Sequence, residues 1–288
     1  MAVDKFRVRE GARFRLKDHD PADTGKFQSK EEGKARLAQG ISRLRELQDR
    51  LYAQDRWAVL LIFQAMDAAG KDSTIEHVMS GVNPQGTQVF SFKSPSSEEL
   101  DHDFLWRTNR NLPERGRIGI FNRSYYEEVL IVRVHPGILA AQKVPSELVG
   151  EDVWKKRYED INALERYLSR NGTVIRKFFL NVSKEEQRER FLARLDDPEK
   201  NWKFALGDVK EREHWDAYME AYEDMIGATS TEHAPWYVIP ADKKWFMRMA
   251  VADAIVEALE GLKLEYPTVD EEKKKELEEA RALLIKEK

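Results

Sequence analysis

Short apolar runs alternate with amphipathic stretches along most of this chain, which predicts strands alternating with helices. The predicted strands cover residues 59–63, 86–92, 117–122, 173–180 and 235–239. The predicted helices cover residues 29–55, 96–111, 151–169, 183–195, 215–226 and 243–259, with one more directly after Lys71. Residues 124–132 fit either element, and a helix capped by Ser124 is favoured, whereas residues 137–150 are expected to form a loop. This alternation predicts an α/β protein with a parallel sheet of about five strands and helices on both faces.

The length of 288 residues fits a single domain. Residues 1–55 are expected to form an N-terminal arm followed by a helix, and residues 56–265 the α/β core. Residues 266–288, rich in Glu, Lys and Leu, predict a C-terminal helix that lies on the surface or clasps a second subunit. Neither an internal repeat nor a linker between domains is evident in the sequence.

Residues 57–74 suggest an anion-binding cradle. The apolar run 59–63 predicts a strand buried on both faces, and small residues lead from it to Lys71 and the next helix. Amide groups at a helix N-terminus and the helix dipole favour an anion there, and Lys71 adds a full positive charge. The phosphate-loop template G-x-x-x-x-G-K-[ST] is matched with two departures, Ala65 at the first glycine and Asp72 at the hydroxyl. The alternative is an ordinary strand-to-helix turn.

Asp67 is the unusual residue of this cradle. A phosphate would repel a carboxylate there unless the carboxylate binds a metal or handles a proton. Asn122 ends a predicted strand at a position where phosphate-loop proteins often hold Mg²⁺ with an acid. A metal would therefore depend on Asp67, on Glu127 or Glu128, or on phosphate oxygens.

Five arginines and one acid, Glu114, lie between positions 107 and 123. Arg107 and Arg110 can be explained as stabilising a helix C-terminus. Arg123 cannot, because it directly follows a buried strand, and open α/β sheets bind ligands at the carboxyl ends of their strands. Arg123 is therefore predicted to contact phosphate.

Residues 183–213 predict a lid. Ser183 and Glu186 form a potential capping box, and Arg190 and Arg194, four residues apart, share one helix face. A short loop containing Lys200, Trp202 and Lys203 follows. The segment would bring arginines to a transferring phosphoryl group. A solvated, charged hairpin is the alternative.

Composition excludes some chemistry. The chain has no cysteine, which rules out disulfides, zinc–thiolate sites and thiol nucleophiles. Charged residues make up 35% of the sequence, yet the net charge is only −4, so the overall charge does not indicate a polyanionic partner. No apolar stretch approaches the roughly 20 residues that span a bilayer. The N-terminus lacks the apolar region of a signal peptide, so a soluble, cytoplasmic protein is expected.

Seven segments together resemble the polyphosphate kinase 2 family over nearly the whole chain. They are residues 64–74 (QAMDAAGKDST), 82–86 (VNPQG), 92–95 (FKSP), 104–107 (FLWR), 120–132 (IFNRSYYEEVLIV), 197–203 (DPEKNWK) and 229–236 (TSTEHAPW). The resemblance implies a P-loop kinase-like, thymidylate-kinase-like fold with a helical lid. It also implies reversible, Mg²⁺-dependent phosphoryl transfer between inorganic polyphosphate and nucleotides, with Mn²⁺ as a possible substitute.

Ala65 and Asn122 are similar to the class III branch of that family, which is associated with phosphorylation of both AMP and ADP, giving ATP. The resemblance further implies a homo-oligomer, a dimer or a tetramer, with neither a nucleic acid nor a membrane as partner.

The site hypothesis assigns roles to residues by group. The catalytic group is Asp67, Lys71, Arg123, Arg190 and Arg194. Phosphate or nucleotide binding is assigned to Ala68, Ala69, Gly70, Lys71, Asp72, Ser73, Thr74, Asn122 and Lys203. A track for the polyphosphate chain is assigned to Lys93, Arg107, Arg110, Arg115, Arg117 and Arg133, and metal binding to Asp67 and Glu128.

Two other functions remain open at this point. One is a nucleoside or nucleotide kinase that uses ATP as donor on the same fold, although the arginine excess exceeds what one triphosphate needs. The other is a non-catalytic module that binds polyanions or nucleic acid, against which stand the near-neutral net charge and Asp67 beside Lys71.

Overall fold

The computed structural model describes residues 3–199, 201 and 204–287. Its sheet has five parallel strands in the order β2-β3-β1-β4-β5. The strands are β1 (Ala58–Gln64), β2 (Thr87–Ser91), β3 (Ile118–Asn122), β4 (Thr173–Asn181) and β5 (Trp236–Pro240). Each coincides with a predicted strand, so the five-stranded parallel sheet is confirmed.

Twelve helices are present in the residues that the structure describes. They are α1 (Lys30–Gln54), α2 (Lys71–Val78), α3 (Ser97–Leu100), α4 (Trp106–Asn109), α5 (Ile131–Val134), α6 (Pro136–Ala141), α7 (Val153–Arg170), α8 (Lys184–Leu195), α9 (Leu206–Lys210), α10 (Trp215–Thr229), α11 (Lys244–Glu260) and α12 (Glu271–Lys286). None of these helices is both long and apolar enough to cross a membrane.

Helices cover both faces of the sheet. Alternate residues of β4 face opposite sides, since Lys177 contacts Glu165 of α7, whereas neighbouring Arg176 lies near Glu257 of α11. Helix α1 packs along α11, and α10 packs against α7. The predicted α/β layering is therefore confirmed.

Three predicted elements differ in detail. Residues 96–111 form two short helices, α3 and α4, because the Asp103 carboxylate accepts a hydrogen bond from the Leu105 amide (2.9 Å) and starts a new turn. Residues 124–132 form a 3₁₀ turn, Tyr125–Val129, and then α5, with Ser124 as the predicted cap. The predicted loop 137–150 contains most of α6, whose first residue is Pro136.

The N-terminal arm packs on the chain's own sheet. Phe6 and Val8 are buried, and the Val8 amide donates to the Trp236 carbonyl of β5 (2.9 Å). The Asp242 amide donates to the Pro21 carbonyl (3.1 Å). At the other end of the chain, all described residues of α12 are exposed, and its role as a subunit clasp stays a prediction.

A buried ion pair joins β4 to α7, and hydrogen bonds connect it to the turn after β3. Lys177 Nζ lies 2.6 Å from Glu165 Oε2, and both side chains are fully buried. The Tyr125 and Tyr126 hydroxyls donate to Glu165 Oε1 (2.9 and 2.8 Å), and Lys177 also donates to the Thr229 carbonyl (2.7 Å). Burial lowers the pKa of Lys177, although Glu165 opposes this shift. The network fixes the Tyr125–Val129 turn, which carries residues of the site.

We expect Lys177→Met to lower the free energy of unfolding by about 3–5 kcal/mol, because it leaves the Glu165 carboxylate buried without its cation. Urea unfolding followed by circular dichroism measures this loss. The matched control is the double variant Lys177→Met/Glu165→Leu, which removes both charges and should regain most of the stability. A loss below about 1 kcal/mol for the single variant would contradict the assignment.

Candidate active site

The loop between β1 and α2, residues 65–70, is called the phosphate loop here. It lies at the carboxyl edge of the parallel sheet, where ligand sites of open α/β sheets lie. Gly70 caps α2 with φ of 104°, a conformation that side chains with a Cβ rarely adopt. A Cβ at this position would also lie 3.2 Å from Met247 Cε. The predicted strand, loop and helix of the cradle are present.

Lys71 is the first residue of α2, and its amine lies over the phosphate loop. Nζ donates to the Ala65 carbonyl (2.7 Å) and the Met66 carbonyl (3.3 Å), and the side chain is buried. Burial lowers the pKa of Lys71 and the charge of Arg123 adds to this, while Asp67, Glu127 and Asp72 oppose it. The amine is therefore held by neutral carbonyls in an environment where a bound phosphate would favour its charged form.

Asp67 and Arg123 form an ion pair between the phosphate loop and the end of β3. Arg123 Nη2 lies 2.8 Å from Asp67 Oδ1. Burial alone would lower the pKa of Arg123, but Glu127 and Asp67 outweigh it and raise that pKa. Arg123 has φ of 63° and Ala68 has φ of 60°, unusual values for non-glycine residues that cost about 1–2 kcal/mol each. Such strain concentrates at functional sites.

The two residues that depart from the usual magnesium-binding pattern contact each other. Asn122 Nδ2 donates to Asp72 Oδ1 at 2.5 Å. The Ser73 and Thr74 hydroxyls donate to the Gly70 carbonyl at 3.2 and 2.8 Å. Because these side chains bond within the protein and the Thr74 amide donates to the Gly70 carbonyl (3.0 Å), phosphate binding here would use the main-chain amides of Asp72 and Ser73.

Glu127 and Glu128 lie in different surroundings. The Glu128 carboxylate is buried, with Arg157 Nη2 at 3.4 Å and Gln142 Nε2 at 3.0 Å, and burial raises its pKa. Glu127 instead acts electrostatically on Lys71 and Arg123. Sequence reasoning selected Glu128 for the metal, whereas the structure places Glu127 with the charges of the site. Both side chains line the cavity next to Arg123, and they differ in their charged neighbours.

The carboxylates of the site fit a magnesium ion that is bound together with the substrate phosphates. Among the residues that the structure describes, no three His, Cys, Asp or Glu side chains cluster closely enough to hold a metal. Mg²⁺ is commonly bound by one or two carboxylates together with substrate phosphates and water. Asp67 and Glu127 can provide such carboxylates, whereas Glu128 pairs with Arg157 and accepts from Gln142 through Oε2, and its buried Oε1 accepts no hydrogen bond among the described residues.

The two arginines predicted for the lid lie on α8. Arg190 is buried and donates only to protein groups, namely the Glu186 carboxylate and the carbonyls of Ala68, Ala69, Ala241 and Asp242. Ser183 caps α8 as predicted, but Glu186 pairs with Arg190 and does not complete the capping box. The Arg194 guanidinium lies over the Phe191 ring (5.6 Å) and acts electrostatically on Asp208. Lys203 lies outside the described residues.

The predicted polyphosphate track is divided by the sheet. Arg115 and Arg117 precede β3, whereas Arg123 follows it, and five residues of strand separate the two ends by about 16 Å. Arg115 Nη1 donates a hydrogen bond to the carbonyl of Arg56 (3.2 Å), which lies just before β1. Arg115 therefore lies at the amino edge of the sheet. The two arginines cannot line a short track at the phosphate loop.

The remaining residues of that track have separate surroundings. Arg133 pairs with Asp224 of α10 (2.6 Å), and the Arg110 guanidinium lies over the Trp106 ring (4.6 Å). Only Lys93 and Arg107 share a cavity with Arg123, and Arg107 donates to the Lys93 carbonyl (2.7 Å).

This cavity has a volume of about 420 Å³. Its charged lining comprises the cations Lys93, Arg107, Arg123 and Lys143 and the acids Glu99, Asp101, Asp103, Glu127 and Glu128. Its apolar and aromatic part comprises Phe92, Leu100, Phe104, Tyr125, Ile131, Val132 and Ile138. A cavity of this size that combines apolar and charged side chains is typical of a small-molecule site.

Comparison with known proteins decides the family. The sequence model described as Polyphosphate kinase 2 matches residues 27–267. This chain belongs to the polyphosphate kinase 2 family. It is 56% identical over 283 residues, 98% of both chains, to the ADP-polyphosphate phosphotransferase of Rhodopseudomonas palustris. It is 49% identical over 266 residues to the AMP/ADP-polyphosphate phosphotransferase of Meiothermus ruber, covering 92% of this chain and 96% of the relative.

The fold agrees with this membership. The crystal structure of polyphosphate kinase 2 from Arthrobacter aurescens superposes with a TM-score of 0.89 at 44% identity, covering 98% of this chain and 95% of the other. The P-loop kinase-like fold and the family predicted from the sequence motifs are thereby confirmed.

Proposed function

We propose that this member of the polyphosphate kinase 2 family transfers phosphoryl groups reversibly between inorganic polyphosphate and adenosine phosphates, converting AMP to ADP and ADP to ATP. One observation carries the proposal. A phosphate loop with Lys71, Asp67 and Arg123 opens beside a separate cavity that shares Arg123 and is lined by apolar, aromatic and charged side chains. Two substrates that are both rich in phosphate but differ in apolar character would use these two parts of the site.

The end of the polyphosphate chain would lie on the phosphate loop, and the nucleotide would lie in the cavity with its phosphates towards Arg123. An oxygen of the nucleotide phosphate attacks the terminal phosphorus of polyphosphate, and the bond from that phosphorus to the bridging oxygen breaks. The acceptor gains one phosphate and the donor chain loses one. No covalent bond to the protein is required, because positioning and charge neutralisation supply most of the catalysis of phosphoryl transfer.

Lys71 and Arg123 would neutralise the negative charge that accumulates on the transferring group. Asp67 orients Arg123 through their 2.8 Å contact. Asp67 and Glu127, together with phosphate oxygens, would hold Mg²⁺, or Mn²⁺ in its place, and the ion would supply positive charge that neutralises the phosphates. Assembly as a dimer or tetramer stays a prediction.

The names of the relatives leave the acceptor to be tested, since one names ADP alone and the other names AMP and ADP. The test supplies the purified protein with Mg²⁺, long-chain polyphosphate and either AMP or ADP, and follows nucleotides by chromatography. We expect ADP and then ATP from AMP. ATP from ADP alone would restrict the acceptor and contradict the class III assignment. Turnover only with ATP as donor would contradict the use of polyphosphate.

The cavity assignment predicts a separate effect on the nucleotide. Ile138 lines the cavity from α6, so Ile138→Trp should fill part of its volume and raise the KM for ADP about tenfold. The KM for polyphosphate should stay within about twofold of wild type, because the phosphate loop is untouched. Initial rates at varied ADP and at varied polyphosphate measure the two constants.

Leu148→Trp is the matched control for this substitution. Leu148 is also apolar and exposed, but it does not line the cavity. It should leave both constants unchanged. An unchanged KM for ADP in Ile138→Trp would place the nucleotide elsewhere.

A further inference from the structure

Every carbonyl of the phosphate loop accepts a hydrogen bond from a side chain. Lys71 bonds the carbonyls of Ala65 and Met66. The Ser73 and Thr74 hydroxyls bond the carbonyl of Gly70. The three carbonyls between them, at positions 67, 68 and 69, are all bonded by α8, which follows β4 far along the chain.

Gln187 and Arg190, one turn apart on α8, make these three bonds. Gln187 Nε2 donates to the Asp67 carbonyl (2.8 Å). Arg190 Nη1 donates to the carbonyls of Ala68 (3.2 Å) and Ala69 (2.6 Å). Both side chains are buried, Gln187 with 1% of its surface exposed.

These bonds determine which way the amides of the loop point. In a trans peptide unit the carbonyl of one residue and the N–H of the next point in opposite directions. When the carbonyls at positions 67–69 point towards α8, the N–H groups at positions 68–70 point away from it. The Ala69 amide donates to the Met66 carbonyl (3.3 Å), which leaves those of Ala68 and Gly70 directed away from α8. Amides directed in this way are what an anion needs.

Arg212 holds Gln187 in this orientation. Arg212 Nη1 donates to Gln187 Oε1 (2.5 Å) and to the Lys184 carbonyl (3.1 Å). A guanidinium can only donate, so it fixes the amide of Gln187 with its oxygen towards Arg212 and its nitrogen towards Asp67. The side chain of Gln187 thus connects the Asp67 carbonyl to Arg212 through two hydrogen bonds.

We propose that Gln187 and Arg190 are positioning residues, which hold the carbonyls of residues 67–69 against α8 and so direct the loop amides and Asp67 towards polyphosphate. The role rests on the proposed function. For Arg190 it replaces the direct phosphate contact expected from the sequence. Its five N–H donors face five protein acceptors, so a contact with phosphate would break existing bonds.

Gln187→Glu tests the bond to Asp67 with almost no change of shape. The new carboxylate still accepts from Arg212 but cannot donate, so the Asp67 carbonyl loses its partner and meets an acceptor. We expect kcat/KM for polyphosphate to fall about ten- to a hundredfold, with the KM for ADP within about twofold of wild type and the protein still folded. Arg188→Gln, on the exposed face of the same helix, is the control and should match wild type.

A second pair of variants separates geometry from charge. Lysine keeps the positive charge of Arg190 but has three donors for five acceptors. Positioning therefore predicts that Arg190→Lys is impaired almost as much as Arg190→Met, whereas a contact with the transferring phosphoryl group predicts that lysine retains much of the rate. Circular dichroism and thermal unfolding establish that each variant is folded.

The outcomes are distinct. If wild type is active and Gln187→Glu has the same kcat/KM for polyphosphate, the positioning role is overturned. An equal change in the KM values for polyphosphate and for ADP also overturns it, because that result indicates a general structural defect. An Arg190→Lys variant close to wild type overturns the role of Arg190. Inactive wild type in this assay contradicts the proposed function itself.

Discussion

Replacing Lys71 with methionine should reduce kcat with polyphosphate and ADP by at least about 10³-fold. The amine lies over the phosphate loop, and among the described residues it bonds the Ala65 and Met66 carbonyls alone, so a phosphate can displace these weaker acceptors. Methionine matches the side chain in length and lacks the charge. Because the site is buried, loss of the charge also removes its desolvation cost, and the variant should stay folded.

The matched control is Lys93→Met, which removes a lysine from the rim of the neighbouring cavity. Lys93 is exposed, so its charge is screened and its loss should change kcat by less than about tenfold. Steady-state rates and thermal unfolding of both variants are compared with wild type. A folded Lys71→Met enzyme that keeps a tenth of the wild-type rate would contradict the role given to this lysine.

The pH dependence gives an independent test of the same residue. Burial lowers the pKa of Lys71 in the free enzyme, and a bound phosphate would raise it again. Polyphosphate affinity is therefore greatest below the pKa of the free enzyme and falls as the pH rises through it. The KM for polyphosphate should begin to rise at a lower pH than for an ordinary lysine, and Lys71→Arg should remove this rise because arginine stays charged.

The sheet and the phosphate loop could be predicted from the sequence because local patterns determine them. The apolar run of β1, the small residues after it and Lys71 are contiguous, so their arrangement follows from the chain itself. Arg115 and Arg117 show the limit of such reasoning. They lie close to Arg123 in sequence, but β3 is extended and carries them to the opposite edge of the sheet.

The parts of the site that were missed depend on contacts between distant segments. Gln187 bonds a carbonyl 120 residues away, and Arg190 bonds carbonyls 121 and 122 residues away. Local spacing correctly placed Arg190 on a helix but could not show that its donors are occupied. The different surroundings of Glu127 and Glu128 depend on a 3₁₀ turn held by Tyr126, Glu165 and Lys177, which no local pattern indicates.

Asp67→Asn should lower kcat by about 10²-fold or more and raise the Mg²⁺ concentration needed for half-maximal rate. Asparagine retains the shape and one acceptor for Arg123, so the 2.8 Å contact can persist while the negative charge is lost. The carboxylate would otherwise help to hold a hard cation, which prefers charged oxygen ligands. Loss of its charge therefore weakens metal binding more than it disturbs the loop.

The metal titration distinguishes the two roles that the geometry allows for Asp67. If it only oriented Arg123, Asp67→Asn would keep an acceptor for that arginine, so it would lose less rate than Arg123→Lys and would have an unchanged Mg²⁺ requirement. If it holds the metal, excess Mg²⁺ should restore part of the rate in Asp67→Asn but not in Arg123→Lys. Asp216→Asn, an exposed acid on α10, controls for the change in net charge and should titrate like wild type. A normal metal requirement in Asp67→Asn would exclude the metal-binding role, because that role depends on the negative charge that asparagine lacks.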